Sequence, residues 1–195
     1  MIPFPDKKYK IIYADPPWDY HSAWKRDGSD SAGIWGIAQD HYTSMTLDEI
    51  KNMTVDSIAD DESFLFLWAT FPQIQEALDV IKAWGFVYKT VAFTWVKKNP
   101  NGTNFTGMGW YTRANAEVCL IARKGTPKVI DNSVKQIIES IPKNHSQKPN
   151  IIRNKIVQLC GDLPRIELFA RTKVHGWDVW GNDEKLNLQP LESFL

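Results

Sequence analysis

Short apolar runs and helically spaced apolar positions alternate along this 195-residue chain. Tyr9–Ala14 is a β-branched and aromatic run that predicts a buried strand. Thr46-Leu-Asp-Glu49 has the spacing of a capping box and predicts the start of a short helix. Phe64–Ala69 is almost continuously apolar, as in a strand covered on both faces. Thr70 stands where it can cap a helix that begins at Pro72. That helix carries Ile74, Ala77, Leu78 and Ile81 on one face and ends at Gly85. Strands follow at Phe86–Val96, Glu117–Ala122 and Val134–Ser140. Pro149–Leu159 predicts a helix with a proline near its first turn, and Arg165–Phe169 and Trp177–Trp180 are again strands. Strands alternating with helices predict an α/β fold, a three-layer sandwich around a largely parallel sheet. Two long connections interrupt the pattern: the polar stretch His21–Asp40, and Lys97–Asn115 with its glycines and aromatics. Connections of that length are characteristically lids or binding loops.

The first strand ends abruptly in Asp15-Pro16-Pro17-Trp18. Proline has no backbone N–H to continue a ladder, so Asp15 marks a strand tip and Trp18 follows on a stiff turn. In open α/β sheets the carboxyl ends of strands are where ligands bind. This tip offers acceptors and a flat aromatic face, but no nucleophile. The Asp15 carboxylate and the Asp15 and Pro16 carbonyls would accept hydrogen bonds, and Trp18 would stack a ring. The complementary ligand is a planar ring bearing an NH₂ group, such as adenine. Two acceptors on the amine hydrogens would draw that nitrogen toward a tetrahedral shape and localise its lone pair, which is positioning with electrostatic preorganisation. A base in a duplex would first be flipped out. The bland reading of the same four residues is a strand–turn junction with a core tryptophan.

Composition narrows the classes. The hydrophobic fraction of 43% predicts a globular chain rather than a disordered one. The balance of 23 basic and 23 acidic residues argues against a strong non-specific nucleic-acid binder. Cys119 and Cys160 lie in apolar runs with no partner at metal-ligand spacing, as buried thiols of a reducing compartment do, and the four histidines are scattered, so no metal site is expected. No signal peptide or spanning segment is visible, which gives a cytoplasmic expectation with no membrane partner.

Several ordered blocks carry a family resemblance: Ala14–Trp18, Tyr42–Ile50, Phe64–Ala69, Trp95-Val96-Lys97, Glu117–Leu120, Ser146-Gln147-Lys148-Pro149, Ile166–Arg171 and Gly181-Asn182. In this order the chain resembles the adenine-N6 methyltransferases that include the catalytic subunit of the eukaryotic mRNA writer and bacterial and phage DNA enzymes. The resemblance implies one methyltransferase domain over residues 1–195, with a Rossmann-like fold that is circularly permuted, the amine-binding motif preceding the cofactor motif. It implies S-adenosylmethionine as cofactor. Asp15, Pro16, Pro17 and Trp18 would be catalytic. Asp15, Lys148, Glu167, Phe169, Arg171, Asn182 and Asp183 would hold the cofactor, with Lys148 on the methionine carboxylate. A glycine-rich turn found in other permuted methyltransferases is replaced here by Ala170-Arg171-Thr172-Lys173.

The expectation is therefore an adenine-specific DNA methyltransferase, DNA being favoured because no zinc-finger appendage accompanies the domain. RNA as substrate stands as the alternative. A non-catalytic nucleic-acid-binding paralogue is another, though it would be expected to show an eroded Asp15–Trp18 motif or to lack Lys148. Protein-amine methylation would leave Trp18 no ring to stack. The relatives pair, which implies a homodimer or a heterodimer with a paralogue.

Overall fold

The computed structural model describes residues 3–19, 44–107, 111–142 and 147–181. Among the described residues seven strands form one sheet: β1 (Tyr9–Ala14), β2 (Ala59–Ala69), β3 (Val87–Lys97), β4 (Ala116–Lys124), β5 (Ile137–Ser140), β6 (Arg165–Leu168) and β7 (Asp178–Trp180). Their spatial order is β5-β3-β4-β2-β1-β6-β7. Every neighbouring pair is parallel except the two made by β4, which runs against both β2 and β3. The α-helices are α1 (Leu47–Lys51), α2 (Ile74–Ala83) and α3 (Ile151–Cys160).

The period-two alternation of the strands divides the core into two layers. Ile12 and Ala14 of β1, Leu65, Leu67 and Ala69 of β2, and Val118, Leu120 and Ala122 of β4 pack with Ile50 of α1 and Ala77, Val80 and Ile81 of α2. The intervening residues Ile11, Tyr13, Phe64, Phe66, Trp68 and Cys119 pack with Ile152, Ile156 and Cys160 of α3. Burying each large aliphatic or aromatic side chain contributes roughly 1.5–3 kcal/mol, so a central strand covered on both faces is strongly held. This is the predicted sandwich, a seven-stranded, mostly parallel sheet between helices.

Element bounds differ from the sequence reading in instructive places. β2 starts at Ala59, before the apolar run, with Asp61 and Glu62 exposed. The capping box is present: Glu49 N–H donates to Thr46 Oγ1 at 3.3 Å and Thr46 N–H to Glu49 Oε2 at 2.8 Å. Thr70, by contrast, opens a 3₁₀ turn (Phe71–Gln73) ahead of α2, and its hydroxyl donates to Gln73 Oε1 at 3.0 Å instead of accepting a helical N–H. Gly85 follows α2 at φ +81°, the left-handed conformation that glycine tolerates. β5 spans four residues rather than seven. The connection His21–Asp40 lies outside the described residues. Among those described, no helix is long and apolar enough to cross a membrane.

The chain path fixes where a crevice opens. From β1 it proceeds through β2 toward one edge of the sheet, whereas β6, β1's other neighbour, leads to β7 and the opposite edge. The boundary between β1 and β6 is thus a topological switch point, and the crevice outside the carboxyl ends of strands there is the favoured ligand site of such sheets.

Candidate active site

Asp15 lies one residue past β1, where the register puts Ala14 opposite Leu67 of β2 and Leu168 of β6. The turn beyond it is closed by backbone bonds: Trp18 N–H donates to the Pro16 carbonyl at 2.9 Å, and Met45 N–H to the Pro17 carbonyl at 2.8 Å. The Pro16 carbonyl, expected to be open, therefore already accepts one hydrogen bond. Pro17 has no N–H, so the Trp18 donor is the first able to reach back. Trp18 is only 5% exposed, packs in the α1–α2 layer, and donates its indole N–H to the Trp68 carbonyl at 3.1 Å. It is both a core tryptophan and a wall of the site.

A small, open concavity lies at this tip, lined by Asp15, Pro16, Pro17, Trp18, Trp68, Ala69, Thr70, Glu117, Lys148 and Arg171. Lys148, from the segment before α3, occupies its charged centre. Its ammonium lies 2.9 Å from Asp15 Oδ2 and 3.2 Å from Glu117 Oε2, over the Trp68 ring at 5.5 Å from the centroid. The Lys148 side chain is 9% exposed, against 23% for Asp15 and 12% for Glu117.

The antiparallel placement of β4 delivers Glu117 to this edge, because the start of β4 pairs with the ends of β2 and β3. Pairing of Trp95 with Glu117 then makes Lys97 and Glu117 diagonal neighbours on one face, and Lys97 Nζ reaches Glu117 Oε1 at 2.5 Å. Below them Trp68 donates its indole N–H to Tyr13 Oη at 2.7 Å.

Electrostatics follow from these contacts. Burial pushes the Asp15 carboxyl above the usual carboxylate range, with Lys148 opposing and Glu117 adding to the rise. Burial would do the same to Glu117, but Lys148 and Lys97 together hold it below its ordinary value. Burial favours neutral Lys148, yet its two carboxylates keep it an ammonium well beyond its ordinary range.

The other expected site residues separate. Arg171 lines the concavity. Glu167 is 7% exposed on the α3 face, where Arg153 grips it with both arms of its guanidinium, Nε to Oε2 at 2.6 Å and Nη2 to Oε1 at 2.7 Å. Burial raises the Glu167 carboxyl while Arg153 opposes. Strand alternation would place Phe169 beside Glu167, but Phe169 has φ +60°. Its ring turns to the other layer, edge-on to Trp180 at 5.8 Å. Asn182 and Asp183 lie outside the described residues. Sequence reasoning gave no role to Glu117, Lys97 or Arg153. The available signal was a charge flanking or interrupting an apolar pattern: Glu117 opens the β4 run, Lys97 closes β3, and Arg153 sits beside the buried face of α3.

Comparison with known proteins identifies the family. Residues 9–183 match the family described as MT-A70. A "Type II methyltransferase M.MunI" from Mycoplasma sp is 38% identical over 189 residues, covering 91% of this chain and 78% of that protein. The "N(6)-adenosine-methyltransferase catalytic subunit METTL3" of Homo sapiens is 28% identical over 167 residues, covering 84% of this chain and 26% of that protein. The "N(6)-adenosine-methyltransferase MT-A70-like" protein of Arabidopsis thaliana is 29% identical over 179 residues, covering 89% and 23%. The chain thus spans most of the bacterial relative and about a quarter of the eukaryotic ones.

Proposed function

The chain belongs to the MT-A70 family, and from that premise we propose that it transfers a methyl group from S-adenosylmethionine to the exocyclic N6 amine of adenine in DNA. One observation carries the reading: a half-buried carboxylate, Asp15, at the tip of the central strand, paired with Lys148 inside a concavity at the switch point of the sheet. The strand order supports a permuted arrangement, since the Asp15 strand comes first in the chain and its neighbour β6, the expected cofactor strand, comes sixth.

The residues suit the cofactor. Lys148 is a buried cation beside the acceptor carboxylate, matched to a methionine carboxylate, and Arg171 lies on the same wall. Bound S-adenosylmethionine supplies a methyl group made electrophilic by its sulfonium. Asp15 accepts a hydrogen bond from the adenine amine and turns its lone pair toward that carbon. The chain's own part would be to hold the amine at Asp15 beside that methyl group and to let the amine's surplus proton leave to water at the open mouth. Trp18 and the proline-stiffened turn fix the approach. Glu167, Asn182 and Asp183 complete the cofactor set in this proposal.

DNA is favoured by the bacterial type II methyltransferase relative, whose length this chain largely spans. The adenosine methyltransferases among the relatives motivate RNA as the second reading. Incubation with labelled S-adenosylmethionine and matched duplex DNA, single-stranded DNA and RNA, followed by nucleoside mass spectrometry, separates them. The expected product is N6-methyladenine in DNA, lost in Asp15→Ala with the fold retained by circular dichroism. Full activity of Asp15→Ala would refute the site, and methylation confined to RNA would reassign the substrate. Intact Asp15–Trp18 and Lys148 speak against a non-catalytic paralogue, for which calorimetry would find no cofactor binding.

A further inference from the structure

Beyond the concavity the charges continue in a line. Lys97 Nζ lies 2.5 Å from one Glu117 oxygen, the other Glu117 oxygen lies 3.2 Å from Lys148 Nζ, and Lys148 Nζ lies 2.9 Å from Asp15. Positive and negative groups alternate, and Glu117 spends one oxygen on each ammonium. Both ammoniums sit over indoles, Lys97 at 5.0 Å from the Trp95 centroid and Lys148 at 5.5 Å from that of Trp68. These two rings meet edge to face at 6.5 Å. Lys97 is not among the residues lining the concavity.

We propose that Lys97 is a positioning residue for the transfer site, acting through Glu117 on Lys148 and, through Lys148, on the acceptor carboxylate of Asp15. This rests on the assignment of Asp15 as the amine acceptor. The argument is one of charge balance. With Lys97 present and no cofactor bound, two ammoniums serve two half-buried carboxylates. Without it, Asp15 and Glu117 share Lys148, and two carboxylates competing for one cation in a poorly solvated site retain a proton to higher pH. The remaining groups facing the pair do not restore the balance. Arg171 acts on Asp15 from beyond β6. Tyr13 and Cys119 are buried groups whose pKa values are pushed up, so they stay neutral. Glu167 adds a negative charge, which Arg153 already offsets. Lys97 also holds Glu117 from its far side, which stops Lys148 from being drawn wholly away from Asp15.

Two measurements test this on the full chain: carboxyl ¹³C titration of Asp15 by NMR, and the pH profile of methyl transfer at saturating S-adenosylmethionine. In Lys97→Met both the Asp15 titration and the acid limb of the profile are expected to rise by about one pH unit, a tenfold change in proton affinity. Lys97→Arg restores both. Glu117→Gln has the opposite sign, because Glu117 is one of the groups raising Asp15, so titration and limb move down. The double variant returns toward wild type. An unmoved Asp15 titration in folded Lys97→Met, or a loss of transfer equal at all pH values and not rescued by arginine, overturns the proposal. Should Lys97→Met fail to fold, an upward or absent shift in Glu117→Gln is equally decisive against it. Absence of adenine methylation by the wild type would instead sink the function assigned above, leaving the NMR titration to judge Lys97 by itself.

Discussion

Burial and charge pull Asp15 in opposite directions, and burial is the stronger. A carboxyl whose pKa is raised on folding binds its proton more tightly in the native state. As pH rises from about 4, the ordinary aspartate value, through the raised folded one, its ionisation therefore costs stability. Glu117 has the opposite sign: its pKa is lowered, so its contribution is present above the ordinary glutamate value and lost as pH falls through the folded one. Asp15→Asn keeps the shape and removes the disfavoured charge, while Lys148 retains Glu117. Its melting temperature at pH 7 should equal or exceed that of wild type while methyl transfer is lost, the trade-off expected where function keeps a costly group in place. Thermal scans with a parallel transfer assay check this. A fall of several degrees would show that the Lys148–Asp15 pair holds the fold together more than burial opposes it. Residue chemistry also shows what one sequence conveys. Asp15 and Trp18 were legible because proline ends a strand by a rule of bonding. The pairing of Glu117 with Lys148 was not, because nothing local links residues from different parts of the chain.

At the scale of elements, patterns with a local cause were legible and those with a distant cause were not. Strand existence, the two-sided burial of β1 and β2, and the capping box of α1 follow from neighbouring residues. The reversal of β4 does not, since inward and outward positions alternate alike in parallel and antiparallel strands. That reversal brings Glu117 to the site. The bend at Phe169 is set by the packing of its ring on Trp180, and a bulky residue at φ +60° stores about 1–3 kcal/mol that the surroundings must supply. Short α1 matters beyond its length. Met45, one residue before its cap, bonds to Pro17, and the Ile50 carbonyl accepts the Trp84 indole N–H at 2.8 Å. The helix thus ties the Asp15–Trp18 turn to α2. Thr46→Ala removes the side-chain half of the capping box, an expected loss of about 1 kcal/mol, readable as a lower urea midpoint with unchanged slope. An unchanged midpoint would mean that the tertiary ties alone fix α1.

For the molecule as a whole, the decisive quantity is charge. The chain carries 23 basic and 23 acidic residues. Arg171 and Lys148 line the site; Lys148 is paired with Asp15 and Glu117, and beyond it Lys97 is paired with Glu117 and Lys98 with Glu139 at 2.9 Å. A protein that held DNA chiefly through phosphates would release one counterion for each charge neutralised, and its affinity would fall steeply with salt. Under the proposed function, recognition would lean instead on the extruded base, its amine held by Asp15 and its face against the turn. Affinity for a target duplex should therefore fall with salt at a log–log slope shallower than about −4, corresponding to roughly four phosphates or fewer. Replacing the target adenine by a purine lacking the 6-amino group should weaken binding at every salt concentration without altering that slope. Fluorescence anisotropy from low to moderate salt measures both. A slope of about −8 would place the main grip on the backbone. Base capture would then be the smaller part of the affinity.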